Sequence, residues 1–265
     1  MKLSIIEKYS SAYTKAFSGA NYHYLHHVYI DGYAGSGTHI SKTTKKEIRG
    51  SPQIALDTKP PFKEFYFIDI NGDKVAELNK ITANRPEAHI LEGDCNKRLL
   101  TDVFPKVKWE DYRRGLCLLD PYGLHLNWEV IKTAGQMKSI EIFLNFPLMD
   151  MNRNVFWRHP EKVDPADIKR MDSFWGDKSW REVVYYQTPN LFGEAIDKKE
   201  DNRTIALAFQ KRLKDVAKFK FVPDPIPMRN SIRNIVYYLF FASNNKTGEN
   251  IAKYIFTKYR DRGMR

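Results

Sequence analysis

The stretch His27-Val28-Tyr29-Ile30-Asp31-Gly32-Tyr33-Ala34-Gly35-Ser36-Gly37 decides how the rest of the chain is read. A short apolar strand closes on an acid and enters a glycine-rich turn, where a missing Cβ lets backbone approach a ligand closely. Further along, the same grammar recurs. Phe65-Tyr66-Phe67-Ile68 closes on Asp69, and Ala88-His89-Ile90-Leu91 runs into Glu92-Gly93-Asp94-Cys95-Asn96. Leu116-Cys117-Leu118-Leu119 closes on Asp120 ahead of Pro121-Tyr122-Gly123, and the run from Ile140 to Phe146 meets Pro147. Helical spacings lie between them, at Val75, Leu78 and Ile81 and at Trp128, Val130 and Ile131. Five strands alternating with helices predict an α/β fold, a parallel sheet covered on both faces.

The flanks complete the outline. Ile5, Ile6, Tyr9, Tyr13 and Phe17 predict an amphipathic helix over about 3–18 that stops at Gly19. A polar basic loop over 38–50 delays the next helix, which starts at Ser51-Pro52 with Ser51 as N-cap. Asp73, after the turn of Asn71 and Gly72, reads as a helix cap. Residues 149–201 turn polar and Trp-rich, and predict a helical cap inserted over the sheet, with a start at Asp164-Pro165 and a stop at Gly176. Phe219–Val222 and Ile235–Phe241 read as two late strands before a helix over 247–259, all within one elaborated domain, 1–265.

Composition narrows the class. With 42% hydrophobic residues the chain is not disordered, and two cysteines, Cys95 and Cys117, make neither a disulfide framework nor a zinc site. No apolar run reaches the ~18 residues of a membrane span, so the expectation is a soluble, cytoplasmic protein with no membrane partner. Lys+Arg 43 against Asp+Glu 32 gives a net charge of +11, which favours a polyanionic partner.

In an open parallel sheet, ligands sit beyond the carboxyl ends of the strands, where these acids and glycines fall. A phosphate-binding P-loop is demoted because Thr38, not lysine, follows Gly37, and a dinucleotide fingerprint because position 40 is Ile40; alone, the motif could equally be a strand-to-helix turn with no ligand. Asp69 suits the two hydroxyls of a ribose, and Gly93-Asp94-Cys95-Asn96 suits an adenine ring, although each acid alone could equally cap a helix. Asp120, Pro121 and Tyr122 offer an acceptor for an amine N–H, a fixed backbone angle and a ring to stack on a planar substrate; an ordinary turn has the same composition.

These residues carry a resemblance. Asp31-x-Tyr33-x-Gly35-Ser36-Gly37 resembles the Asp-x-Phe-x-Gly-x-Gly motif of S-adenosylmethionine-dependent amino-methyltransferases. Asp120-Pro121-Tyr122-Gly123 is similar to their Asp-Pro-Pro-Tyr motif, with Tyr122 in place of the second proline, and closer to the Asp-Pro-Phe/Tyr-Gly form of tRNA guanine N2-methyltransferases. With Gly50-Ser51-Pro52, Asn145-Phe146-Pro147, Phe174-Trp175-Gly176, Trp180 and Tyr238 to Ser243, nearly the whole chain resembles the three-Cys-motif partner protein family. The resemblance implies a Rossmann-like class I methyltransferase sheet of seven strands, mostly parallel, the last antiparallel. It implies S-adenosylmethionine as cofactor, contacted by Asp31, Tyr33, Ala34, Gly35, Gly37, Asp69, Asp94 and Asn96, with Asp120, Pro121 and Tyr122 at the transfer site. It also implies a genomic partner, a radical S-adenosylmethionine-type protein with a three-cysteine motif.

The chemistry expected is in-line methyl transfer to a nitrogen, which needs alignment more than a strong base. No Ser-His-Asp or Cys-His arrangement is recognisable, and His23, His26 and His27 lack companions with ligand spacing, so no metal is expected. A nucleic-acid acceptor could meet Lys42, Lys45, Lys46 and Arg49, or Lys211, Arg212, Lys214, Lys218 and Lys220, with Phe156, Trp157, Trp175 and Trp180 stacking on bases. The plain alternative makes these lysines a solvated face and these tryptophans core. Two rival functions remain: a non-catalytic or partner-dependent methyltransferase-like protein, and a nuclease holding magnesium on Asp31, Asp69 and Asp94.

Overall fold

A computed structural model describes residues 1–19, 22, 24–40, 47–189 and 195–260, with backbone alone at 39, 40, 47 and 195–197. Helix α1 (Lys2–Phe17) precedes the first central strand, β1 (His26–Asp31), whose last five residues are all buried. A short antiparallel hairpin, β2 (Thr38–Ile40) and β3 (Glu47–Arg49), follows where a loop over 38–50 is expected. Lys42, Lys45 and Lys46 lie outside the described residues, as does His23. Then come α2 (Ser51–Leu56), β4 (Glu64–Asp69), α3 (Gly72–Ile81), β5 (Ala88–Glu92), α4 (Cys95–Arg98), β6 (Arg113–Leu119), α5 (Trp128–Met137) and β7 (Ile140–Phe146).

β1 pairs in parallel with β4 on one side and β6 on the other, β4 with β5, and β6 with β7. The chain thus builds outward from β1 through β4 to β5, then crosses back to β6. Strand order reverses at β1 and β6, which is where such a sheet opens a crevice. After α6 (Leu148–Asn154), α7 (Pro165–Trp175), α8 (Trp180–Val184), the hairpin β8 (Tyr185–Pro189) and β9 (Ala195–Lys199), and α9 (Asn202–Asp215), the sheet is closed by β10 (Ile226–Arg229) and β11 (Ile235–Ala242). β11 runs antiparallel to both β7 and β10, which completes a seven-stranded sheet; α10 (Lys246–Arg260) ends the described chain.

Two cores flank the sheet. Ile5, Tyr9, Leu56, Leu78 and Phe256 from α1, α2, α3 and α10 pack on one face. Leu99, Ile131, Phe174, Trp180 and Phe209 pack on the other. Full burial of each such side chain contributes about 1.5–3 kcal/mol.

Several expectations need correction. Phe219–Val222 is not a strand: only Phe221 bridges to Ser243, and the edge strand is β10 instead. Segment 149–201 contains a β-hairpin besides its helices, and its rings belong to the core. Phe156, Trp175 and Trp180 are buried, with the Trp175 indole N–H donating to Ser179 Oγ at 3.0 Å and that of Trp180 to Asp172 at 2.7 Å. Satisfied indoles at such depth are packing groups, and of the four proposed stacking rings only Trp157 is exposed. The α2 cap is Gly50 rather than Ser51, and the α3 cap is Asn71, which accepts from the Lys74 N–H, rather than Asp73. No described helix is long and apolar enough to cross a membrane, and both cysteines are free and buried.

Candidate functional site

At the end of β1 the Asp31 carboxylate is fully buried. Its Oδ1 accepts the Tyr33 N–H at 3.2 Å, while Oδ2 has no hydrogen-bond partner. Burial pushes this acid up to about 7; the Asp120 charge adds to the rise, and the Ser51 hydroxyl, Tyr33 N–H and Lys2 oppose it. An uncompensated buried carboxylate oxygen is costly, and native proteins keep few of them.

The glycine turn is pinned on both sides. Gly32 N–H donates to Leu118 O at 3.0 Å, Ala34 N–H to Ile68 O at 2.9 Å, and Gly35 N–H to Asp69 Oδ2 at 2.9 Å. Gly35 has φ +67° and nothing within 4 Å of where a Cβ would stand, so its backbone faces open space. Gly37, at φ +84°, differs: a Cβ there would lie 2.5 Å from Ile81 Cδ1, and its carbonyl accepts from the Gly50 N–H. Gly37 is a packing glycine, and Gly35 the one that borders a vacant approach. The buried Ala34 is part of the same turn, and the Tyr33 hydroxyl donates to His125 O at 3.1 Å.

Asp69 braces this turn. Besides Gly35 it accepts the Asn71 N–H at 2.9 Å, and Lys74 Nζ lies 3.7 Å away. Beside it Ile70 stands exposed, an apolar side chain over the end of β4. Asp94 caps α4 through the Lys97 N–H at 2.9 Å. Asn96 ties that element to the loop before α5, donating to His125 O at 3.0 Å and accepting the Asn127 N–H at 2.7 Å. Asp94 and Asn96 are therefore already committed to protein partners.

The end of β6 is arranged otherwise. Asp120 is partly exposed and ion-paired to Lys2, while the Asn145 side-chain amide donates to its other oxygen. Pro121 is buried, and Tyr122 next to it is 90% exposed. Gly123, at φ +68°, leaves room for Asp150, whose Oδ2 would sit 2.8 Å from a Cβ there. Asp150 Oδ2 and Asn145 Oδ1 are both buried without partners. Three orphaned polar atoms, on Asp31, Asn145 and Asp150, thus border the Asp120–Gly123 turn.

The sequence reading missed Lys2, Asn145, Asp150 and Ile70. Asn145 had a signal, as an amide in a strand buried at every position. Lys2 had none, because its contact with Asp120 joins elements 118 positions apart. His26 and His27 serve structure: His26 Nε2 lies 2.9 Å from Glu64 and His27 Nε2 3.0 Å from Pro61 O. Among the described residues no three His, Cys, Asp or Glu side chains group to hold a metal, so Asp31, Asp69 and Asp94 do not converge as magnesium ligands.

No protein-family model matches the chain, and no curated protein matches it. Solved structures do. A Legionella pneumophila protein described under the family model DUF519 superposes with a TM-score of 0.56 at 11% identity, over 97% of this chain and 91% of that one. The fold is a Rossmann-like, seven-stranded and mostly parallel sheet flanked by helices. An S-adenosylmethionine-dependent methyltransferase from Clostridium acetobutylicum aligns at a TM-score of 0.42 and 9% identity, over 90% of this chain and 91% of that one. Identities this low bear on the fold alone.

Proposed function

We propose that the chain is an S-adenosylmethionine-dependent N-methyltransferase with a nucleic-acid acceptor. The observation that carries the reading is the Asp120 cradle, in which an amino group, Lys2 Nζ, already donates to the carboxylate that an acceptor nitrogen would use. The residues at the neighbouring strand ends fit the cofactor: an orphaned Asp31 oxygen, an empty approach over the Gly35 turn that Asp69 braces, and the exposed apolar Ile70. When bound, the cofactor would supply an electrophilic methyl carbon on a sulfonium.

The chain's own residues would do the rest by alignment. Asp120 and Asn145 orient the nitrogen, Tyr122 stacks on the acceptor's ring, and the Gly35 turn with Asp69 fixes the donor side. Holding reacting atoms in line can supply about 7–11 kcal/mol of barrier reduction without a strong base. The net charge of +11 supports a phosphate-bearing acceptor.

Calorimetry with S-adenosylmethionine and a methyl-transfer assay on mixed RNA test this. Asp120→Ala should retain cofactor binding and lose at least about a hundredfold in transfer, since it removes the group that orients the nucleophile; Asp69→Ala should weaken cofactor binding first. Absence of cofactor binding at millimolar concentration sinks the reading. So does binding of acceptor that does not change between low and moderate salt.

One observation favours a second reading. Because Lys2 fills the Asp120 cradle, the acceptor side is closed by α1, and a partner such as a radical S-adenosylmethionine-type three-Cys-motif protein would be needed to open it. Transfer seen only when that partner is added would select this reading.

A further inference from the structure

At the opposite end of the strands, where β6 and β7 begin, lies a cleft of about 620 Å3 that the proposed methyl transfer does not use. Its walls gather exposed aromatic rings: Trp109 and Tyr112 from the turn before β6, with Tyr24 packed edge-on against Tyr112 at 5.4 Å. The Arg114 guanidinium covers one face of the Trp109 indole at 3.4 Å, yet the indole stays half-exposed. Lys138 and Lys220 also line the cleft, both exposed, and no described carboxylate forms an ion pair with them or with Arg114. Glu110 offsets part of the Arg114 charge, and Glu141 on the floor is turned to Tyr9 and Ser243. Tyr13, fully enclosed at the back of the cleft, has a hydroxyl with no hydrogen-bond partner.

Exposed rings in a cationic cleft match a ligand that is flat and apolar at one end and anionic at the other. We infer that this cleft binds an unpaired nucleotide, its base against Trp109 and Tyr112 and its phosphate among Arg114, Lys138 and Lys220. Stacking on aromatic rings beside basic groups is the usual way single strands are held, and it tolerates any base. The cleft is independent of the transfer site, so it holds whether or not the chain methylates anything.

The test uses the full chain and two probes, adenosine monophosphate and an eight-nucleotide single strand, read by Trp fluorescence and anisotropy. Trp109→Ala should weaken binding at least about fivefold, the lower end for loss of one stacking ring. A Lys138→Glu, Lys220→Glu double variant changes only exposed side chains, so it remains informative if Trp109→Ala folds poorly. It should reduce the salt slope by about 1.4, since each of the two lost phosphate contacts on a single strand removes ~0.7. Lys169→Glu, at an exposed lysine outside the cleft, should bind like the parent. Strand binding at least tenfold tighter than the mononucleotide identifies a nucleic-acid strand, and equal affinity identifies a free nucleotide; either supports the site. Failure of both probes at 1 mM, equal competition by polyglutamate, unchanged binding by the cleft variants, or an equal loss in Lys169→Glu would overturn it.

Discussion

Asp31 and Glu141 are both buried carboxylates, both pushed up to about 7 by burial, and they stand at opposite ends of the strands of one sheet. Glu141, near the start of β7, has both oxygens engaged: Tyr9 of α1 donates to one, and Ser243 beyond β11 donates to the other at 2.9 Å. Gly248 brings α10 so close that a Cβ would lie 2.6 Å from the carboxylate. Asp31, at the end of β1, keeps one oxygen bare. Burial alone therefore does not mark a functional acid, since the two titrate alike. What separates them is whether the protein has spent their hydrogen-bonding capacity on itself.

The sharpest way to break this contrast is truncation. Glu141→Ala strands the Tyr9 and Ser243 hydroxyls and opens a void, and should cost about 3 kcal/mol by chemical denaturation. Asp31→Asn keeps an oxygen that can accept from the Tyr33 N–H and the Ser51 hydroxyl, so neither donor is stranded. Its stability should stay within about 1 kcal/mol of the parent while cofactor affinity falls about tenfold, the worth of one charge-assisted hydrogen bond. If Asp31→Asn unfolds the chain as readily as Glu141→Ala, Asp31 is structural and the contrast collapses.

Titration sharpens it further. Both acids have folded values near 7 against ordinary values of 3.8 and 4.5, so the folded state holds more protons than the unfolded one between about pH 4 and 7. Their stabilising contribution is complete below pH 4 and is lost as pH rises through 7, by up to about 1.4 kcal/mol per pH unit for each group. Glu64 and Glu249 are held low by their basic and hydroxyl partners despite burial, and work in the opposite sense, losing stability as pH falls. The difference between parent and Glu141→Gln isolates one group: the Gln variant should show a shallower fall in unfolding free energy from pH 4.5 to 7.5. An unchanged slope would mean that Glu141 is ionised throughout.

The strand ends were legible because the sheet's periodicity and its terminal acids are local. Runs such as Phe65–Ile68 need only their neighbours to declare them buried strands, and each is followed by its acid. Which acids are spare was not legible, because that depends on donors supplied from elsewhere. Asp94 and Asp69 look alike in sequence, yet one caps its own helix and the other braces the Gly35 turn 34 positions away. The edge strand was misplaced for a similar reason. Phe219–Val222 is apolar because Phe219 and Val222 pack under α5 and α9, whereas Ile226–Arg229, broken by Pro227, pairs as an edge strand where a missing N–H is tolerated. Trp175 and Trp180 were ambiguous between core and stacking platform until their indole N–H partners were known.

The smallest effect concerns the Lys2–Asp120 contact over the open end of β6. Lys2 and Asp120 are both partly solvated, with side chains 20% and 33% exposed, and such pairs contribute roughly 0–1 kcal/mol. Lys2→Met keeps the aliphatic stem near the Tyr237 ring and removes the ammonium, so stability should change by less than about 1 kcal/mol. Its effect on function depends on what the ammonium does. If Lys2 stands where the acceptor nitrogen must go, removing it should lower KM for acceptor several-fold and leave kcat unchanged, because a competitor for Asp120 has been withdrawn. If Lys2 instead positions Asp120, kcat should fall with KM unchanged, and Lys2→Arg should restore it. The two regions would then differ less than their hydrogen bonds suggest, with the open end, like the Glu141 end, completed by α1.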